Sequence, residues 1–381
     1  MKRVAIIVTH LLGTGHLSRS ITLARALADA GLEPQLISGG MPVRHLDLSR
    51  IGFVQLPPVR SNGTSFTSLL DSDGNPASSD LMQARIDALV ATLREDEPDA
   101  LITELFPFGR RVLREEFLTA LAATRSTKRP PLILSSVRDI LAPPSSEKKA
   151  IQTESWLSEF YDGVLVHSDP GVAELDASWP VTPQIAELLR YTGFITPAPP
   201  VPSPVDTHGA GEIVVSAGGG AVGRKLFETA IAAARMSRHR WRLLVGGADA
   251  DAVCTRLNSL AEGGSAIAEP VRADYRAMLT RCAAAVGQCG YNTAIDWLQA
   301  GVPGVFVPFA EAGEVEQTLR ASLLRDRYGY GMIAEEELTA ENLAAAADKA
   351  VLQGRFKANS LNFDGAAETG RILIEMLDKR E

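Results

Sequence analysis

Short apolar runs alternate with longer stretches of helical period along most of the chain. RVAIIVT (3–9) reads as a buried strand, and 16–30 as a helix with Leu17, Ile21, Ala24 and Ala28 on one face. Gly31 ends that helix, and EPQLIS (33–38) is the next strand. A helix over about 80–97 leads into DALITEL (99–105), whose strand ends at Glu104. PPLILSS (130–136) and DGVLVHS (162–168) are further runs of strand type. The alternation restarts with EIVVSAGGG (212–220), a helix over about 223–237, WRLLVGG (241–247), AAAVGQCG (283–290) and GVFVPF (304–309). Strands that alternate with helices predict an α/β fold with parallel sheets covered on both faces.

TPAPPVPSPVDTHGAG (196–211) interrupts this pattern, and its prolines stiffen it into an extended linker. The segments on either side are comparable in length, and both begin with a strand, a glycine-containing loop and a helix. This is weak internal symmetry rather than a short repeat. It predicts two similar α/β domains with a cleft between them. Ligands of open α/β sheets bind at the carboxyl ends of the strands.

Composition narrows the classes. At 381 residues, with 45% hydrophobic and 22% charged residues, the chain has apolar material for two cores. A net charge of −8 argues against a general nucleic-acid binder, which needs an excess of Lys and Arg to neutralise phosphates. Cys254, Cys282 and Cys289 lack metal-ligand spacing and read as buried thiols in a reducing compartment. The apolar start MKRVAIIVTHLLGTGH is broken by Thr9, His10 and glycines without a clean cleavage site. No apolar run approaches the roughly 18 residues of a spanning helix, so the expected location is cytoplasmic.

The loop Gly13-Thr14-Gly15-His16 fails as a dinucleotide fingerprint, because Ser18 stands where the third glycine belongs and no acid ends the second strand. No Gly-Lys-Ser/Thr follows, so it is no phosphate-binding P-loop either. The loop at Gly218-Gly219-Gly220, followed by Arg224-Lys225, is likewise not a Walker motif. Both loops still join a strand to a helix start, where backbone N–H groups favour an anion. The competing reading is that these glycines only permit tight turns. His16 falls in the first turn of its helix, where the dipole disfavours the imidazolium and keeps the ring neutral for general-base work; it reads otherwise as a capping or packing histidine. His167 ends a strand and is a minor candidate contact; His10, His45, His208 and His239 have no supporting context.

The most informative segment is VGQCGYNTAIDWLQAGVPGVFVPFAEAGEVEQ (286–317). A glycine-containing turn over 287–292 follows an apolar strand, and Thr293 and Asp296 share one face of the first helical turn. A carboxylate there can accept hydrogen bonds from both ribose hydroxyls, or can simply complement the helix dipole. Gly301-Val302-Pro303 stops the helix, and the next strand opens into a loop ending at Glu316-Gln317.

GYNTAIDWLQAGVPGVFVPF resembles the donor-site signature of MurG-like, family 28 type glycosyltransferases of the GT-B group, which includes bacterial UDP-N-acetylglucosamine transferases. GTGHLSRSITLARAL (13–27) resembles that group's N-terminal glycine loop with its histidine. TELFPFGRR (103–111) and GYNT (290–293) are similar to a bacterial set of predicted glycosyltransferases. The resemblance implies a GT-B fold of two Rossmann-like domains. It places an acceptor-binding domain over 1–198, a nucleotide-sugar domain over 199–365, and a C-terminal helix over 366–381 that packs back on the first domain. It implies inverting transfer from a nucleotide-sugar, UDP-linked, with no metal or other cofactor, to a glycan, lipid-linked or small-molecule acceptor. Donor contacts then fall on Gly218, Gly219, Arg224, Gly290, Asn292, Thr293, Asp296, Glu316 and Gln317, with Asp296 matching the acid that holds the ribose. Acceptor contacts fall on Gly13, Gly15 and Arg110. Asp replaces the usual Glu at the ribose position, and Glu316 replaces the first of a glutamine pair.

Chemistry then falls on His16 or Glu104 as the base for an acceptor hydroxyl. Glu104 reads equally as a solvated strand-end acid. FPFGRRVLR (106–114) mixes Phe106 and Phe108 with Arg110, Arg111 and Arg114. It reads either as a landing site for an anionic acceptor or membrane, giving peripheral contact at the inner membrane face, or as a basic amphipathic surface helix. A nucleotide-sugar epimerase and a non-catalytic nucleotide-sugar-binding subunit are the rival functions.

Overall fold

A computed structural model describes the chain except for residues 44–45, 63–64, 201–206, 218–222, 248, 262–263, 311–314, 358–359 and 381. It divides into two compact units, Met1–Thr196 with Asn362–Glu381, and Pro197–Leu361.

The first unit begins with strand β1 (Arg3–Val8), helix α1 (Gly15–Asp29) and strands β2 (Glu33–Ser38) and β3 (Gly52–Gln55). A small antiparallel pair follows, β4 (Arg60–Asn62) with β5 (Ser65–Leu70). Then come α2 (Ser79–Asp96), β6 (Ala100–Glu104), α3 (Arg114–Arg125), β7 (Leu132–Arg138), α4 (Glu147–Phe160), β8 (Gly163–His167), α5 (Pro183–Leu188) and β9 (Leu189–Tyr191). Seven of these strands form a parallel sheet in the order β3-β2-β1-β6-β7-β8-β9. Central strands such as β1, β6 and β8 are buried on both faces, which is why they read as unbroken apolar runs. The order reverses direction between β1 and β6. In open α/β sheets the carboxyl ends of the strands at such a switch point are where ligand sites form.

The second unit repeats the plan with β10 (Ile213–Ser216), α6 (Arg224–Ala234), β11 (Trp241–Val245), α7 (Ala250–Leu260), β12 (Ala266–Pro270), α8 (Tyr275–Leu279), β13 (Ala284–Gly287), α9 (Tyr291–Ala300), β14 (Gly304–Phe306), α10 (Glu316–Tyr328), β15 (Gly331–Met332) and α11 (Ala340–Gln353). Its sheet order is β12-β11-β10-β13-β14-β15, with the switch between β10 and β13. Thr339 caps α11, its hydroxyl accepting from the Asn342 N–H at 3.2 Å. Thr339→Ala should cost about 1 kcal/mol in urea unfolding. A change of a few tenths would show that the cap contributes little.

The chain then re-enters the first unit as α12 (Gly365–Asp378). Ile372, Leu373 and Leu377 of α12 join Leu17, Ile21, Leu23 and Leu27 of α1 in one buried cluster with the β1 face.

Two readings of the sequence are corrected. Phe106 and Phe108 are core residues, 0% and 5% exposed, not a landing surface. Phe106 stacks on Phe117 at 4.6 Å between centroids, and Phe108 meets the edge of Trp179. Nor is 106–114 one amphipathic helix: Arg111–Leu113 form a single 3-10 turn, and α3 starts only at Arg114. Arg111 bonds to Gln152 and Thr153 and lies over the Trp156 ring. Among the described residues no helix is long and apolar enough to cross a membrane.

Candidate functional site

In the first unit the switch point is occupied by His16 and Glu104. His16 is the second residue of α1, reached from β1 through the exposed Gly13 and Gly15. Glu104 is the last residue of β6. Because β1 and β6 are neighbours, His16 Nδ1 comes within 2.8 Å of Glu104 Oε1. Arg19, one turn further along α1, also donates to Oε1, and Ser136 Oγ donates to Oε2 at 2.9 Å. Burial alone would raise the Glu104 carboxyl. Arg19 and the hydrogen bond from His16 outweigh it and hold the group ionised, below the usual carboxylate range. An ionised carboxylate only accepts, so the 2.8 Å contact with Glu104 places the ring hydrogen on Nδ1, against the longer 3.3 Å approach of the Arg19 guanidinium, and Nε2 keeps its lone pair. Burial holds His16 below the ordinary imidazole range, with Arg110 and Arg19 acting in the same sense and Glu104 opposing. The ring is therefore neutral at neutral pH.

Glu104 is 2% exposed, which corrects its reading as a solvated strand-end acid. His16 keeps 17% of its side chain open. Arg110 has a left-handed backbone (φ 58°), and its Nε donates to Thr9 O at 2.7 Å. Its charge therefore stands near enough to act on His16. Gly13 is not at positive φ, and a Cβ built there would meet nothing within 4 Å. The fold's own packing thus does not demand a glycine at this point.

In the second unit the sequence candidates follow the carboxyl ends of three strands, β10, β13 and β14, adjacent in the sheet. Gly218 and Gly219 lie outside the described residues. Arg224 is the first residue of α6, exposed, with no side-chain bond among the described residues. Gly290 is the N-cap of α9; like Gly13, it has open space where a Cβ would stand. Asn292 is exposed and Thr293 half-buried in the first turn.

Asp296 is the sixth residue of α9, a turn later than the sequence suggested, because the helix starts at Tyr291 rather than beyond Asn292. Arg276 of α8 donates from Nε to Asp296 Oδ1 at 2.8 Å, and Arg276 also holds the carbonyls of Pro197 and Ala198. Oδ2 accepts no hydrogen bond from the described residues. Burial pushes the Asp296 carboxyl up to about 6, against the pull of Arg276.

Gln317 in the first turn of α10 accepts at Oε1 from the backbone N–H groups of Cys289 (3.0 Å) and Phe309 (3.2 Å). Arg320 of the same helix donates to Cys289 O at 2.9 Å. Gln317 thus ties together the loops after β13 and β14, and Glu316 stands half-buried beside it. Under these loops Trp297 stacks on Phe306 at 4.3 Å and donates to the Tyr275 hydroxyl at 3.0 Å. Gly287 makes that packing possible, since a Cβ there would stand 2.4 Å from Ser216 O and 3.2 Å from the Trp297 ring.

Sequence reasoning missed Arg19, Ser136, Arg276 and Arg320. Arg19 carried a readable signal, three residues after His16 on the same helical face. The other three reach their partners only through the sheet order and helix packing. Among the described residues no cluster of His, Cys, Asp and Glu is arranged to hold a metal.

Residues 224–369 match the glycosyltransferase family 28 C-terminal domain. Three solved structures superpose on nearly the whole chain, each of which is itself covered in full. Acinetobacter baumannii MurG does so with 16% identity, 98% coverage of this chain and a TM-score of 0.64. The glycosyltransferase VinC, solved in complex with dTDP, gives 15%, 99% and 0.63. The glycosyltransferase SnogD from Streptomyces nogalater gives 17%, 99% and 0.60. A comparison with curated protein sequences gives no match.

Proposed function

We propose that this chain, a glycosyltransferase of the GT-B fold with a MurG-like, family 28 type C-terminal domain, moves a sugar from a UDP-linked donor to an acceptor hydroxyl with inversion and without a metal. The observation that carries the reading is the His16–Glu104 pair at the switch point of the first unit. His16 Nε2 takes the acceptor proton as the acceptor oxygen forms its bond to the anomeric carbon. The bond from that carbon to the diphosphate oxygen breaks on the opposite face. Glu104 holds the ring in the required tautomer and stabilises the imidazolium as it forms. A single displacement inverts the anomeric centre and needs only this one base.

The donor half of the reaction is assigned to the second unit. The helix starts at Arg224 and Tyr291 offer backbone N–H groups to a diphosphate, and the Arg224 guanidinium, unbonded among the described residues, adds a charge-assisted contact. Asp296 Oδ2 is the acceptor for the ribose hydroxyls. The absence of a Cβ at Gly290 leaves room for the nucleotide to approach the backbone. Gln317 serves this site by fixing its loops.

Titration with UDP, dTDP and GDP by calorimetry tests the donor assignment. UDP should bind most tightly, and Asp296→Ala should weaken it by about tenfold or more. Since Asp296 protonates as pH falls through about 6, affinity for a UDP-sugar should drop on acidification from pH 7.5 to 5. In Asp296→Asn, which has no proton to gain, that drop should vanish. Binding of none of the three nucleotides, or unchanged affinity in Asp296→Ala, would overturn the donor site.

A further inference from the structure

Behind Glu104 lies a run of polar side chains that the transfer reaction does not itself call for. Ser136 on β7, His167 at the end of β8 and Thr192 just after β9 are 2%, 0% and 0% exposed. They stand on consecutive strands of the sheet, next to β6. Ser136 Oγ lies 2.9 Å from Glu104 Oε2 and 2.9 Å from His167 Nε2, and His167 Nδ1 lies 2.9 Å from Thr192 Oγ1. Each buried group is costly if left unpaired, so apolar residues would serve a parallel sheet at least as well.

The hydrogens of this chain have one consistent arrangement. Ser136 has a single hydroxyl hydrogen, and an ionised carboxylate has none to give, so that hydrogen goes to Glu104. His167 must then donate from Nε2 to Ser136 Oγ. A neutral ring with hydrogen on Nε2 leaves Nδ1 as acceptor for Thr192, in preference to the Gly193 carbonyl that also lies 2.9 Å from Thr192 Oγ1. Burial, with Arg19 adding to it, keeps His167 neutral.

We propose that Ser136, His167 and Thr192 are positioning residues of the transfer site: a strand-to-strand hydrogen-bond chain, polarised by the Glu104 charge, that holds the carboxylate with Oε1 on His16. The groups that face Glu104 are His16 and Arg19 from α1, Ser136 from β7 and, through it, His167 from β8, while Arg110 acts on His16 from the loop after β6. The proposal rests on His16 as the base. The two histidines must therefore hold opposite tautomers, His16 with hydrogen on Nδ1 and His167 with hydrogen on Nε2.

Imidazole nitrogen spectra of the 15N-labelled full chain read this directly, with signals assigned from His16→Gln and His167→Gln. Both rings of the unaltered protein should be neutral and in opposite tautomers from about pH 5.5 to 8.5. In Ser136→Ala the His167 Nε2 hydrogen should exchange about tenfold faster, and His16 should lose its preference for Nδ1–H; Ser136→Thr should preserve both signatures. A His167 with hydrogen on Nδ1 in the unaltered protein, or a His16 tautomer indifferent to Ser136→Ala, would overturn the chain. The unaltered protein decides the first point whether or not a variant folds. No nucleotide enters these measurements, so a failed UDP titration would bear on the transferase assignment and leave this result standing.

Discussion

His16→Ala is expected to lower turnover by about 10²- to 10⁴-fold while leaving nucleotide affinity close to that of the unaltered protein. The imidazole stands at the switch point of the first unit, whereas every donor contact proposed belongs to the second. Release of UDP from the UDP-sugar that binds best, measured beside calorimetry with UDP, separates the two effects. Glu104→Gln should fall between, because the amide removes the charge that fixes the ring and stabilises the imidazolium. With donor held saturating, so that Asp296 does not enter, the acid limb of the turnover profile should lie below the ordinary histidine range near 6.5, since burial lowers His16 and the free base persists as the solution is acidified. Full turnover in His16→Ala would remove the base assignment.

Arg85→Met is expected to destabilise the protein by about 3–5 kcal/mol in urea unfolding. Arg85 and Glu116 are both fully buried and joined by two hydrogen bonds of 2.8 and 2.9 Å between α2 and α3. The guanidinium also holds the carbonyls of Gly39 and Pro57, which follow β2 and β3. Removing it strands a carboxylate in the core. Arg85→Met/Glu116→Leu should recover part of the loss, since the stranded charge is gone while the two carbonyls still lack a donor. A single-variant cost below about 1 kcal/mol would mean that water reaches Glu116 and solvates it.

The alternating pattern was legible because the central strands are buried on both faces, so β1, β6, β8, β11 and β13 announce themselves as apolar runs. β3 (GFVQ) and β12 (AIAEP) lie at sheet edges and are only partly buried, so neither stands out as a buried run. At the site, His16 was readable from its glycine turn and Glu104 from its strand end. Their contact was not, because it depends on β6 lying beside β1 rather than following β5 in space. The pairing of Asp296 with Arg276 was hidden for a similar reason: α8 and α9 meet only after β13 has entered the sheet. FPF at 106–108 misled because a loop usually exposes its aromatics, whereas Phe106 and Phe108 fill the space between α3, α4 and Trp179.

The helix α12 sets a timetable for assembly. A ribosome makes residues 1–196 first, but the apolar side of α1 that receives Leu373 and Leu377 stays uncovered until all of 197–361 has been translated. The second unit, contiguous in sequence, meets no such delay. The domain begun first is thus finished last, and for that interval Leu23 and Leu27 present a sticky, aggregation-prone face to water.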